Sequence, residues 1–234
     1  MFRKVALAAA IMAVTSPASA QVTGGSLGIE YSAPTDGGDF GGTTYSGSLE
    51  YAFNRNFALS FDISGYRLDN ISTNASSVTV HGIYNLDEMT SFGVFYGADS
   101  VDSADAQALY GVEAGTEFGD ADVEAFLGQL EGVSDDALVY GFDANYAFSN
   151  GFSATGSGGF TDVDDRSLSR IAIGGQYEIF GGPQFYAEIG NVSAKTGGVE
   201  ADQTFVGLGA RIAFGADRGT TFKQRSLFEI LPGF

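Results

Sequence analysis

Cysteine is absent from this chain, so neither a disulfide nor a thiolate-bound metal can staple its fold. Basic residues are scarce, 11 Lys+Arg against 29 Asp+Glu, which excludes nucleic acid as a natural partner. Proline is rare too, with four in 234 residues, and no stretch beyond the N-terminus reaches the ~18 continuous apolar residues of a membrane-spanning helix. Any membrane span must therefore be built from strands. What the chain has in quantity is glycine, 34 residues, and aromatic side chains, 20 Phe and 11 Tyr. Disordered chains are poor in aromatics, so this composition points to a folded β protein.

The N-terminus carries Arg3 and Lys4, the apolar run Val5 to Val14 and then Ala18-Ser19-Ala20. A basic start, a short apolar core and a small-x-small end make an export leader, with cleavage expected after Ala20. Ten apolar residues are too few to cross hydrocarbon as an anchor. Removing the leader, with its two basic residues and no acidic one, leaves nine bases against 29 acids, a formal charge of −20. Without disulfides, the exported chain must be held by packing or by closure of a ring.

Short turns recur at near-constant spacing: Asn54-Arg55-Asn56, Leu86 to Thr90, Gly119 to Asp122, Ser149-Asn150-Gly151 and Gly181-Gly182-Pro183. Their centres near 55, 88, 120, 150 and 182 are 33, 32, 30 and 32 residues apart. Each interval fits one hairpin, two strands of about 10 to 12 residues with a loop, which is close to the length of a tilted strand crossing a bilayer. Between the turns the side chains alternate. Leu138, Tyr140, Phe142, Ala144, Tyr146 and Phe148 share one face, and Val139, Gly141, Asp143, Asn145 and Ala147 the other.

Counting outward from the turns predicts twelve strands, near 22–32, 42–53, 57–68, 76–86, 90–99, 108–118, 122–131, 136–148, 151–161, 167–180, 184–193 and 203–214. The predicted fold is all-β, a transmembrane antiparallel up-and-down β-barrel of about 12 strands over residues 21–214, followed by a tail at 215–234. An even count lets the first and last strands pair antiparallel and removes the open edge that lipid does not tolerate. The segment 122–131 fits least well, because Phe126 and Leu130 share the face opposite Val123, Ala125 and Leu127.

Aromatic residues gather beside the short turns: Tyr51, Phe53 and Phe57, then Tyr84 and Phe92, Phe118, Tyr146, Phe148 and Phe152, and Tyr177, Phe180 and Phe185. Tyr51, Phe53, Phe57, Tyr146, Phe148 and Phe152 are expected to form an interfacial girdle. A soluble sandwich would not concentrate aromatics at every second turn. The alternate connections, 33–41, 69–75, 99–107, 132–135, 161–166 and 194–202, are expected to be longer acidic loops on the other rim.

At this point the pattern resembles the small outer-membrane β-barrels of Gram-negative bacteria and, more loosely, the porin superfamily. The segment Gly207-Leu208-Gly209-Ala210-Arg211-Ile212-Ala213-Phe214 resembles the closing-strand signal that the barrel-assembly machinery of that group reads. Phe234 resembles the terminal Phe of porins, but Pro232-Gly233 breaks any strand leading into it, so the closing strand is placed at Phe214. The resemblance implies the outer membrane as location, with its lipid and lipopolysaccharide as surroundings.

With the aromatic face toward lipid, the opposite face carries Glu30, Glu50, Asp62, Glu113, Glu117, Glu124, Asp143, Glu178 and Glu188 against Arg170 and Arg211. Confined carboxylates favour cations, so the expected function is porin-like passive diffusion of small solutes or ions, with cations preferred. A lumen filled and crossed by acid–Arg pairs, giving a structural or adhesive barrel, stands as the alternative. His81, the single histidine, is placed inward near Thr79 and Asn85, where it is either a lumenal hydrogen-bonding group or the general base of a barrel enzyme; no nucleophile can be named beside it. No enzyme activity, cofactor or metal site is expected. The loop acids Asp36, Asp39, Asp99, Asp102, Asp105, Asp135, Asp136, Asp162, Asp164 and Asp165 lack EF-hand spacing, and read as a solvated rim or as ligands for divalent cations bridging to lipopolysaccharide. In the tail, Arg218, Lys223 and Arg225 precede Leu227, Phe228, Ile230, Leu231 and Phe234, a pattern compatible with folding back toward the acidic lumen, with docking on the periplasmic rim, or with a frayed end.

Overall fold

The structure, a computed structural model, describes residues 21–37, 41–68, 74–102, 105–131, 136–163, 166–179, 181–215 and 220–230. The leader, Asp39, Asp135, Asp164, Asp165, Phe180, Arg218, Leu231 and Phe234 lie outside the described residues.

Alternation of period two gives each segment one apolar and one polar or small face, and the chain folds accordingly into strands β1 (Gln21–Pro34), β2 (Gly42–Ala52), β3 (Phe57–Leu68), β4 (Asn74–Asn85), β5 (Thr90–Val101) and β6 (Gln107–Phe118). They continue as β7 (Ala121–Leu130), β8 (Ala137–Ala147), β9 (Phe152–Val163), β10 (Arg166–Glu178), β11 (Pro183–Thr196) and β12 (Val199–Gly215), followed by the single turn of helix α1 (Leu227–Ile230). Every strand pairs antiparallel with its sequence neighbours, and β1 pairs with β12 from Gly24 opposite Gly215 to Pro34 opposite Phe205. The ring is closed at twelve strands. Closure satisfies the backbone groups that an edge would leave bare in hydrocarbon.

The short turns are set by local chemistry. Oδ1 of Asn54 accepts the N–H groups of Asn56 and Phe57, and Oδ1 of Asp87 accepts those of Met89 and Thr90. These caps fix the register at one rim. The outer wall is apolar along its length: Leu27, Phe61, Ile63, Val94, Leu127, Phe142, Ile173 and Leu208 are all exposed. A water-soluble monomer does not present such a continuous apolar surface, whereas lipid covers it. In β7, Leu127 joins this wall while Phe126 and Leu130 turn inward, so both of its faces are covered.

The opposite rim differs from the expectation of uniformly longer loops. Strand β11 runs on to Thr196 and β12 begins at Val199, so the expected loop 194–202 is a tight hairpin instead. Gly197 and Gly198 both have positive φ, 57° and 84°, the conformation that a two-residue turn matched to strand twist requires. Asp99 and Asp162 are also not loop acids: Asp162 lies within β9, and Asp99 lies within β5, buried and pointing inward.

The inward face is not uniformly acidic either. Near the far rim, Phe95, Leu109, Leu130, Ala137 and Val139 form an apolar cluster with Ile230, and Ala172, Val192 and Phe205 form a second one.

Candidate functional site: the divided lumen

Residues Thr220 to Ile230 lie inside the ring. They rise from the short-turn rim toward the far rim along the inward faces of β2 to β9, and each step has a wall partner. The N–H of Thr221 donates to Glu50 Oε2 (2.6 Å), and the N–H of Lys223 to Glu124 Oε2 (3.2 Å). Gln224 bonds Ser64, Thr79 Oγ1 donates to the carbonyl of Arg225 (2.7 Å), and Asp99 accepts both Ser226 Oγ (3.0 Å) and Leu227 N–H (2.6 Å). Tyr66 OH donates to Glu229 Oε1 at 3.0 Å.

Arg225 is the centre of this contact. Its Nε meets Glu113 Oε2 at 2.9 Å, Nη2 meets Glu124 Oε2 at 2.9 Å, and Nη1 lies 3.7 Å from Asp143 Oδ2. The guanidinium also sits over the Phe126 ring, 4.6 Å from its centroid. A planar fork with several donors can satisfy carboxylates from three strands at once. Burial alone would weaken its proton affinity, but Glu124 and Glu113 reverse this and hold it above the ordinary arginine value. Lys223 pairs with Asp143 Oδ1 at 2.7 Å; enclosure within the ring lowers its pKa, Asp143 and Glu124 raise it, and the net direction is upward.

Inward glycines make the room. A Cβ on Gly93 would stand 2.8 Å from Phe222 Cε2, one on Gly115 3.3 Å from Phe222 Cε1, and one on Gly159 2.8 Å from Ile230 Cγ1. Phe222 is fully buried against Ala58 and Ile83. Those glycines were the missed signal: they fall on the inward register, where side-chain bulk would have filled the lumen.

His81 is also fully buried. Its Nδ1 lies 2.6 Å from Glu113 Oε1 and its Nε2 2.8 Å from Asp62 Oδ2. A general base needs a free nitrogen facing substrate. Here both nitrogens face carboxylates and the ring stacks at 6.4 Å on Phe222, so His81 belongs to the wall that holds the tail.

Across from the tail, the other half of the interior is a cavity of about 1680 Å³. Its wall includes Glu30, Arg170, Glu188 and Arg211, with Tyr186 OH donating to Glu30 Oε2 (2.8 Å) and Arg170 paired with Glu188 and with Ser157 Oγ (2.8 Å). Glu117 and Glu178 border the cavity near the short-turn rim, while Glu50 and Glu113 are buried behind the tail. The structure thus separates the nine sequence-identified acids. Glu50, Glu113, Glu124 and Asp143 hold the tail, Asp62 pairs with His81 in the wall, and Glu30, Glu117, Glu178 and Glu188 face the cavity.

On the outer wall by the short turns, Phe53, Phe57, Tyr146, Phe148 and Phe152 are exposed and Tyr51 is half-buried. Ring contacts join Tyr51 to Phe53 (5.7 Å), Phe57 to Tyr84 (5.3 Å) and Phe152 to Tyr177 (4.6 Å).

No family model matches this sequence, and no curated protein matches it. Solved structures do share its fold. A KdgM porin aligns with a TM-score of 0.59 at 14% identity over 81% of this chain and 99% of that one. A NanC porin aligns at 0.60 and 11% identity, over 80% and 98%. An outer-membrane channel from Pseudomonas putida F1 aligns at 0.55 and 15% identity, over 85% and 98%.

Proposed function

The chain has the closed barrel fold of outer-membrane porins, and we propose that it is itself a porin-like channel of the outer membrane, in which small solutes pass through the half of the lumen that the tail leaves free. The observation that carries this reading is the cavity of about 1680 Å³ inside a ring whose outer wall is apolar. Passive diffusion needs no covalent step, only a wet path of sufficient width. The structural neighbours described above are porins and an outer-membrane channel, which favours transport over catalysis.

The finer part of the reading is a preference for cations. Its support is the mouth of the cavity, where Asp87, Glu88, Glu117, Asp120, Asp122 and Glu178 face Arg55. One KdgM porin structure is a complex with disordered oligogalacturonate. The acidic mouth of this chain favours ligands of opposite or no charge. Export by the 1–20 leader, lipid around the apolar wall, recognition of the closing strand by the assembly machinery, and divalent bridges from Asp36, Asp102 or Asp136 to lipopolysaccharide complete the proposal.

A non-conducting structural barrel is the second reading. It is favoured by the apolar cluster of Leu109, Leu130, Val139 and Ile230 near the far rim. Refolded full-length protein in planar bilayers under a salt gradient separates the two. Openings with a cation-selective reversal potential support the proposal in full, and electrically silent insertion overturns the channel. Protein that stays in solution without detergent overturns the membrane reading itself.

A further inference from the structure

The wall beneath the tail recognises main chain as well as side chains. Glu50, Glu124 and Asp99 each accept a backbone N–H, and Thr79 donates to a backbone carbonyl. A carboxylate row that merely neutralised cations would have no such bonds. The groove also has a floor: Gly93 and Gly115 admit an aromatic ring, and Gly159 admits an aliphatic side chain. Between these two apolar seats lie the carboxylates that take one lysine and one arginine.

We propose that the inward face of β2 to β9 is a binding site for an extended basic peptide that carries an aromatic residue just before its cations, and that residues 220–230 are its resident intramolecular ligand. The tail is suited to exchange because charge–charge contacts supply much of its hold, and part of them is open to the cavity. Lys223 exposes 57% of its side chain there, while its partner Asp143 exposes 19%. A competing peptide entering by the short-turn mouth meets that pair before the buried Arg225 site. A peptide in trans is opposed by the tail's effective concentration, so the intact protein binds it weakly, and any change that loosens the tail uncovers the site.

The site can be read without any conductance, because the chain contains no tryptophan. The probe is a synthetic peptide of residues 220–230 with tryptophan in place of Phe222, added to detergent-solubilised full-length protein. Arg225→Ala protein is expected to bind the probe at least tenfold more tightly than the unmodified chain, with a blue shift of its emission. Phe222→Ala serves the same purpose should the first variant fail to fold. A probe with Glu in place of both Lys223 and Arg225 is expected not to bind. Adding Ser64→Cys and Gln224→Cys to the Phe222→Ala chain, which has no other thiol, and joining the two thiols with a short bis-methanethiosulfonate linker locks the tail in place; linked protein is expected to ignore the probe and reduced protein to take it up. Equal binding to locked and unlocked protein, equal binding of the charge-reversed probe, or no binding by either loosened variant overturns the proposal.

Discussion

Glu113 bridges Arg225 and His81: one carboxylate oxygen lies 2.9 Å from Arg225 Nε and the other 2.6 Å from His81 Nδ1. The bond to Arg225 joins residues 112 apart in the chain and ties the C-terminal segment to the centre of the wall.

Arg225→Ala removes the shared cation from Glu113, Glu124 and Asp143 and leaves like charges facing one another. Breaking one side of a buried ion pair costs about 3–5 kcal/mol. The tail is therefore expected to leave the wall while the ring stays closed, seen as loss of hydrogen-exchange protection at residues 221–229 with unchanged strand content. Retained protection would refute this.

Phe222→Ala empties the seat formed by Ala58, Ile83, Gly93 and Gly115. Truncating a buried Phe costs about 3–5 kcal/mol, here drawn from tail docking. Protease cleavage within 220–230 is expected to accelerate in the variant, at a rate that follows the population of undocked tail.

Gly159→Val places side-chain atoms where Ile230 now packs, with the first carbon already 2.8 Å from Ile230 Cγ1. Overpacking of this kind costs about 1–3 kcal/mol. The expected result is selective loosening of α1 while Phe222 stays docked, measurable as exchange confined to residues 227–230. Uniform loosening of the whole tail would show that its two apolar seats act as one unit.

The Glu229 carboxyl is raised above its ordinary value by enclosure within the ring, with the Tyr66 hydrogen bond and the Arg170 charge offsetting it only in part. Its side chain is exposed to the cavity, where solvent screens the effect. A raised folded-state pKa favours docking while the group is protonated, and that contribution fades as pH rises from the ordinary 4.5 through the raised value. Glu229→Gln is expected to dock as firmly as the native tail at about pH 4.5 and more firmly at about pH 8. A tail whose protection has the same pH profile with and without the substitution would contradict this.

Under the channel reading, Asp120→Asn with Asp122→Asn removes two of the carboxylates at the mouth. Cation preference is expected to fall at low salt and to change little near 1 M, where charges are screened beyond about 3 Å. A reversal potential unmoved by the double substitution would place selectivity elsewhere.

The number of strands, their direction and the lipid-facing side were legible because each rests on local chemistry. Turn residues such as Asn54 and Asp87 cap their own neighbours, and alternation along β8 assigns Phe142 outward and Asp143 inward with no knowledge of any other strand. Loop length was less legible. Gly197-Gly198 reads equally as part of a loose acidic connection or as the tip of a tight turn, and the pairing of β11 with β12 decides between them.

The division of the lumen was legible only in outline: basic residues ahead of an apolar end allowed a tail folded back toward the acidic lumen, but nothing in the sequence said which acids it would meet. Glu113 and Glu188 stand alike in sequence, each an inward acid on an alternating strand, yet one holds the tail and the other faces the cavity. Sequence by itself determined a closed antiparallel ring with an apolar exterior, because strand period and turn chemistry are short-range properties. Tertiary structure alone decided which acids are paired, where Arg225 sits and which half stays open, because those contacts join residues far apart in the chain and depend on the volume that inward glycines leave free.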